Sequence, residues 1–233
     1  YRKAIRTGIE GLKIGLLKEG FDNEDSEAKV DTSVRSAIEK IQTLGATVDV
    51  VSVPWHHFGV PIWAPITLEG SYQNLSINNG GTKNIGGVHQ SSLINALSNW
   101  RNRANEFPHT ITVATLLAHH AHENYNGVYY AKAQNLRRRL RGDYDSILSK
   151  YDVLALPTTA MTTTKIPDQD STLVDYLGHC WSNITNTCQF NLTGHPAISI
   201  PCGYADEKPV GLQLVTKHWN EMNLYRVASA YEE

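Results

Sequence analysis

Residues 12–53 read LKIGLLKEGFDNEDSEAKVDTSVRSAIEKIQTLGATVDVVSV, and this stretch decides the fold class. Residues 12–17 form a short apolar run closed by Gly20, as a buried strand should be. An acidic stretch over 22–27 then leads into Val30, Val34, Ile38, Ile41 and Leu44. That spacing draws one apolar stripe on a helix, and acidic side chains at its start suit the helix dipole. Gly45 stands where a glycine in left-handed conformation ends a helix. Residues 47–53 (TVDVVSV) are rich in β-branched side chains and stop at Pro54. Strand, helix and strand joined by short connections make a βαβ unit, so the two strands are expected to be parallel with a right-handed crossover.

Working outward, helical spacing recurs at Leu93, Leu97, Trp100 and Ala104, and again at Leu136, Leu140, Ile147, Leu148 and Tyr151. A glycine-rich stretch, residues 78–87 (NNGGTKNIGG), must be loop. It lacks the GK[ST] ending of a phosphate cradle and joins no strand to a helix. Residues 153–156 (VLAL) read as a buried strand ended by Pro157, followed by a polar threonine-rich loop to about residue 170. A helical stretch near 173–187, a strand at 197–200, a turn at 201–207, a strand at 210–215 and a helix from Asn223 complete the chain. With no internal repeat and no linker signal, residues 1–233 read as one α/β domain or most of one.

Composition narrows the function classes. Twenty-one basic and 23 acidic residues leave a formal charge of −2, and charged residues are 19% of the chain against an average of roughly 25%. A surface so nearly neutral gives no reason to expect nucleic acid or an anionic membrane as partner. Cys180, Cys188 and Cys202 are odd in number and lack CxxC spacing, which argues against a disulfide framework or structural zinc and fits a reducing, cytoplasmic setting. No leader pattern and no run near 18 apolar residues is present. The sequons at Asn74, Asn183 and Asn191 are then more readily chance than used. The chain begins at Tyr1 without Met and stops at Glu233 inside a helical pattern, so it is expected to be a piece of something longer.

The chemistry-bearing residues form no complete catalytic set. His119, His120 and His122 cluster and His56 adjoins His57, but neighbours on a helix point about 100° apart and HExxH is absent. No metal site is expected. Ser91 and Ser92 lie at a helix start, where N-capping is the better role. Cys180 beside His179 is read as structural, because adjacent residues rarely orient for proton transfer. Arg137, Arg138, Arg139 and Arg141 are read as a solvated or carboxylate-paired helix face.

The most informative stretch is residues 190–203 (FNLTGHPAISIPCG) followed by 208–215 (KPVGLQLV). Gly194 and Pro196 set a sharp turn into the strand AISI, and 203–209 is a hairpin-like connection to the next strand. This long gapless run resembles the C-terminal core of the amidase signature family. LKIGLLKEGFD, LGATVDVVSVP and YDVLALPTT match the family's order upstream. VPWHHFGVPIW, YYAKAQNLRRRLRGDYDSIL and NTCQFNLTGHP are similar to the bacterial amidases encoded beside nitrile hydratases. The resemblance implies an α/β fold with a mixed β-sheet flanked by helices on both faces, of which residues 1–233 are the C-terminal part. It implies hydrolysis of a carboxamide to an acid and ammonia by a Ser–Ser–Lys triad, without metal or cofactor, in a homodimer. The lysine and the glycine-flanked Ser-Ser of that triad are not in this chain, and Lys13 and Lys18 match neither. They are expected in an N-terminal half that this chain lacks, so the chain alone should be inactive. By the same resemblance Trp63, Trp181 and Ile184 line the substrate pocket, Trp181 and Ile184 sharing one helical face. A non-catalytic homologue or an amidotransferase-type subunit is the alternative.

Overall fold

The computed structural model describes residues 2–21, 23–78, 88–168 and 170–233. The short helix α1 (Arg2–Ile5) precedes strand β1 (Lys13–Leu17), helix α2 (Ala28–Thr43) and strand β2 (Thr47–Val51). β1 and β2 pair in parallel, as the βαβ reading requires. α2 buries Val30, Val34, Ala37, Ile38 and Ile41, whereas Leu44 closes the helix and stays 39% exposed. Gly45 takes φ +100° just beyond it, and its N–H reaches back to the Gln42 carbonyl at 3.0 Å.

Next come α3 (Gly59–Tyr72), α4 (Ser91–Leu97), α5 (His109–Tyr125), α6 (Val128–Leu148) and strand β3 (Val153–Pro157). They are followed by α7 (Leu173–Trp181), α8 (Cys188–Thr193), β4 (Ala197–Ala205), β5 (Lys208–Val215) and α9 (Glu221–Glu232). The residues of the glycine-rich loop from 79 to 87 lie outside those described. The helical stretch expected near 173–187 is α7 and a 3-10 turn at Ser182–Ile184, and α8 begins just beyond it.

Among the described residues five strands form one mixed sheet in the order β2-β1-β3-β5-β4. β1 lies parallel to β2 and β3, and β5 runs antiparallel to both β3 and β4. Alternation gives each strand two faces. Ile14, Leu16, Val153, Ala155, Ile200, Leu212 and Leu214 join α2 and α9 in the main core. Leu17, Leu154, Leu156 and Val215 on the opposite face are equally buried, so both faces are covered. β4 runs five residues past the expected end. A bulge between Pro201 and Tyr204 absorbs the irregularity, and the hairpin turns tightly at Asp206 and Glu207, both at positive φ.

The chain divides into two compact units. The sheet unit comprises Tyr1–Val60, Arg137–Lys165 and Ser182–Glu233. The helical unit comprises Pro61–Leu136 and Ile166–Trp181. In the helical unit the α5 residue His109 meets Tyr176 of α7 edge-on at 5.3 Å, and Trp100 stacks on Phe107 at 5.5 Å. No helix is long and apolar enough to cross a membrane among the described residues.

Candidate functional site

Parallel strands end where ligands usually sit, outside their carboxyl ends, and there the sheet unit buries a polar network. Asn186 is its centre, fully buried. Its side-chain NH2 donates to the Gly20 carbonyl at 2.8 Å beyond β1 and to the Pro157 carbonyl at 3.0 Å at the end of β3. Its Oδ1 therefore accepts, from Asn23 Nδ2 and from His56 Nε2, each at 3.1 Å. That assignment places the His56 proton on Nε2 and leaves Nδ1 to accept from the Tyr144 hydroxyl at 2.7 Å. Gln189 donates to the His56 carbonyl at 3.0 Å and Gln213 to the Asn186 carbonyl at 2.8 Å. Gly20 belongs to the same junction, because a Cβ there would fall 2.7 Å from Leu156 Cβ.

The electrostatics make this network a brace. Burial drives the His56 imidazole down to about 4, so it is neutral near pH 7. Burial pushes the Tyr144 phenol well above its ordinary value and the Cys188 thiol up to about 12. Burial would also raise Glu19, but the hydroxyl of Ser52 and the Val53 N–H at 2.9 Å donate to its carboxylate and hold it below the usual range. These hydrogen bonds tie the ends of β1 and β3 together.

A second feature lies wholly in the helical unit. A cavity of about 390 Å³ is lined by Glu69, Gly70, Gln73, Asn74, His122, Asn126, Gly127 and Tyr130. α3 places Glu69 there and then runs on into a π-helical turn at Gln73–Ile77, a distortion often found at functional sites. α5 ends at Asn126 with φ +51°, which brings His122 and Asn126 to the same wall. Glu69 is 5% exposed, and its Oε1 has no hydrogen-bond partner. A buried carboxylate oxygen left this way suits a ligand that donates N–H or O–H.

The three pocket residues expected from the sequence stand on α3, at the end of α7 and in the turn after it. Trp63 is half-buried on α3, Trp181 ends α7 at 36% exposure, and Ile184 is half-buried in the following 3-10 turn. α7 ends at Trp181, and the 3-10 turn that carries Ile184 follows it directly. None of the three lines the cavity around Glu69. Ser91 and Ser92 open α4, but Gln90 occupies the cap position and no side chain caps the helix. Of the clustered histidines, His119 and His122 both pack on the Tyr72 ring at 5.5 Å, with His119 Nδ1 2.7 Å from its hydroxyl, while His120 pairs with Asn124. Arg139 covers the Trp55 ring at 4.3 Å, Arg141 faces Asp145, and Arg137 donates to the Leu192 carbonyl, so the arginines form no shared patch. Cys180, Cys188 and Cys202 are free thiols.

Asn186, His56 and Gln213 do not stand out in the sequence as members of one network. One signal is available for Gln213, a polar residue on a strand whose neighbours GL and LV are all apolar. Nothing local marks Asn186, whose partners come from segments distant in the chain.

This mixed sheet, braced at its strand ends and closed by an antiparallel hairpin, defines an α/β protein. The chain belongs to the amidase family, whose model matches residues 2–225. It is 37% identical to an enantioselective amidase of Rhodococcus rhodochrous over 94% of this chain and 43% of that protein. It is 33% identical to the A-subunit of the Exiguobacterium sibiricum glutamyl-tRNA(Gln) amidotransferase, over the whole chain and 47% of that protein. The chain thus spans less than half the length of the curated relatives it matches. Among solved structures, the A-subunit of the Thermotoga maritima glutamyl-tRNA(Gln) amidotransferase aligns with a TM-score of 0.66 at 26% identity, over 98% of this chain and 43% of that one. A 6-aminohexanoate cyclic dimer hydrolase shares the fold at a TM-score of 0.73 and 20% identity, over 99% of this chain and 46% of that one.

Proposed function

We propose that this chain is the C-terminal portion of an amidase that hydrolyses a carboxamide to a carboxylic acid and ammonia. The carrying observation is the 37% identity to an enantioselective amidase across 94% of the chain, although only 43% of that relative is covered. In this reading a Ser–Ser–Lys triad outside residues 1–233 does the chemistry. The sheet unit supplies strands and the brace at their ends, and Trp63, Trp181 and Ile184 supply apolar contacts to the acyl group. The enzyme is cytoplasmic, dimeric and of the type that works beside nitrile hydratases.

Burial supports a missing half. Leu116 and Val128 are each 62% exposed and Val174 80% exposed, all in the helical unit. The sheet unit likewise exposes Val50, Tyr204 and Trp219, and so much large apolar surface is expected where another part of the same protein covers it.

The test joins the upstream coding sequence to this chain and measures ammonia release from simple carboxamides, with and without a serine-directed inhibitor. The expected result is inhibitor-sensitive hydrolysis by the extended protein and none by residues 1–233 alone. An extended protein that folds and hydrolyses no free amide contradicts the reading. A second reading, one component of an amidotransferase, is favoured by the 33% identity over the whole chain to the Exiguobacterium sibiricum protein. Ammonia transfer that requires mischarged tRNA would select it.

A further inference from the structure

The hairpin β4–β5 brings two histidines together at its open end. His195 lies two residues before β4 and His218 three residues after β5, and Ala197 pairs with Val215 between them. The Thr216 N–H closes this end on the Pro196 carbonyl at 3.0 Å. The two rings lie 4.3 Å apart, centroid to centroid. α6 adds Asp145, whose Oδ1 is 3.2 Å from His195 Nε2. One ligand atom from each of Asp145, His195 and His218 lies within 4.8 Å of the other two. His218 Nε2 is buried and has no hydrogen-bond partner. That nitrogen therefore carries an unused lone pair or proton.

We propose that Asp145, His195 and His218 bind one divalent transition-metal ion, with zinc the fitting probe. Two imidazoles and one carboxylate are a zinc-type donor set, and a fourth position stays open to solvent. Ligand atoms of a tetrahedral ion sit about 3.3–3.5 Å apart, given bonds of roughly 2.0–2.2 Å. The Asp145–His195 pair meets this spacing as it stands. His218 and Asp145, the two partly exposed members, rotate to close the rest. His195 is already held from behind, its Nδ1 2.9 Å from Thr193 Oγ1. On binding, the His195 proton moves from Nε2 to Nδ1, which donates to Thr193 Oγ1, and the freed Nε2 lone pair takes the metal. The tautomer changes and no net proton is released from this ring. Arg141 stands 3.7 Å from the other carboxylate oxygen, Oδ2, so Oδ1 is the oxygen that turns to the ion. Such an ion would clip α6 to both ends of the hairpin, a role separate from amide hydrolysis.

Zinc titration of the protein, purified without a histidine tag, is the test, followed by calorimetry and by thermal melting. The expected result is one zinc per chain with a higher melting temperature. His218→Gln and Asp145→Asn should each weaken binding at least tenfold, while His119→Gln leaves it unchanged. Cobalt bound at the same site should show the visible bands of a low-symmetry site, lost in His218→Gln. Should His195→Gln fail to fold, the two partly exposed positions still decide the matter. Zinc affinity unaltered in both His218→Gln and Asp145→Asn, or no binding at micromolar zinc by the folded protein, overturns the proposal.

Discussion

Asn186 in the sheet unit and Glu69 in the helical unit are both buried polar side chains, yet their surroundings differ in kind. Asn186 donates twice and accepts twice, to and from Gly20, Pro157, Asn23 and His56. Glu69 leaves one carboxylate oxygen without a partner, and Ser76 in the same unit leaves its hydroxyl so. Leu154, Leu156, Leu212 and Leu214 are fully buried in the sheet unit, which still exposes Val50, Tyr204 and Trp219, while Leu116 and Val174 of the helical unit face outward. The Asn186 network is satisfied from within its own unit, whereas Glu69 keeps an oxygen free for a donor that its unit does not supply.

The sharpest way to break this contrast is Asn186→Ala. It removes four hydrogen bonds from the sheet unit, among them those to the Pro157 carbonyl and the buried His56 Nε2, and should cost on the order of 3–5 kcal/mol, read by denaturant unfolding. A loss below about 1 kcal/mol would mean the brace is dispensable. Acidification is the next largest effect. His56 binds a proton with a value of about 4 in the fold and about 6.5 when unfolded, so the unfolded chain takes up the proton first as pH falls. Stability present above pH 6.5 should therefore drain away toward pH 4, by about 3 kcal/mol from this residue. An imidazole titrating near 6.5 by NMR in the native protein would remove that source.

Leu116→Gln probes the other side of the comparison. At a position 62% exposed, it should shift the stability of the chain alone by less than about 0.5 kcal/mol. In the extended protein the same change should cost about 1–2 kcal/mol, because there the leucine is covered. Equal small effects in both would count against a covering half. The smallest expected change is Glu207→Gly. Glu207 sits at φ +64° in the hairpin turn, so glycine should stabilise by about 0.5–1 kcal/mol, seen as a small rise in melting temperature.

How much of the molecule is legible in its sequence depends on the range of the interactions. Val30, Val34, Ile38 and Ile41 write α2 into the sequence because a helix is periodic with itself. TVDVVSV and VLAL write β2 and β3 because both are short β-branched or apolar runs with a breaker after them. TGHPAISIP and PVGLQLV write the hairpin and, by resemblance, the family. The tight turn at Asp206–Glu207 is harder to place than the broader 201–207 connection, because neither residue is the glycine that positive φ normally demands. The brace around Asn186 is invisible locally, since its bonds span 29 to 166 residues of sequence. The grouping of Asp145, His195 and His218 is hidden for the same reason. The adjacent His119 and His120 are conspicuous in the sequence and have separate partners in the fold.

The proposed completion of this chain by the rest of a longer amidase predicts that the helical unit gains cover in the extended protein while the sheet core does not change. Amide hydrogen exchange on residues 1–233 alone and within the extended protein tests it most directly. Protection in β1, β3 and β5 should be unchanged between the two, and protection in α5 and α7 should rise at least tenfold in the extended protein. Equal protection of α5 and α7 in both forms would contradict it.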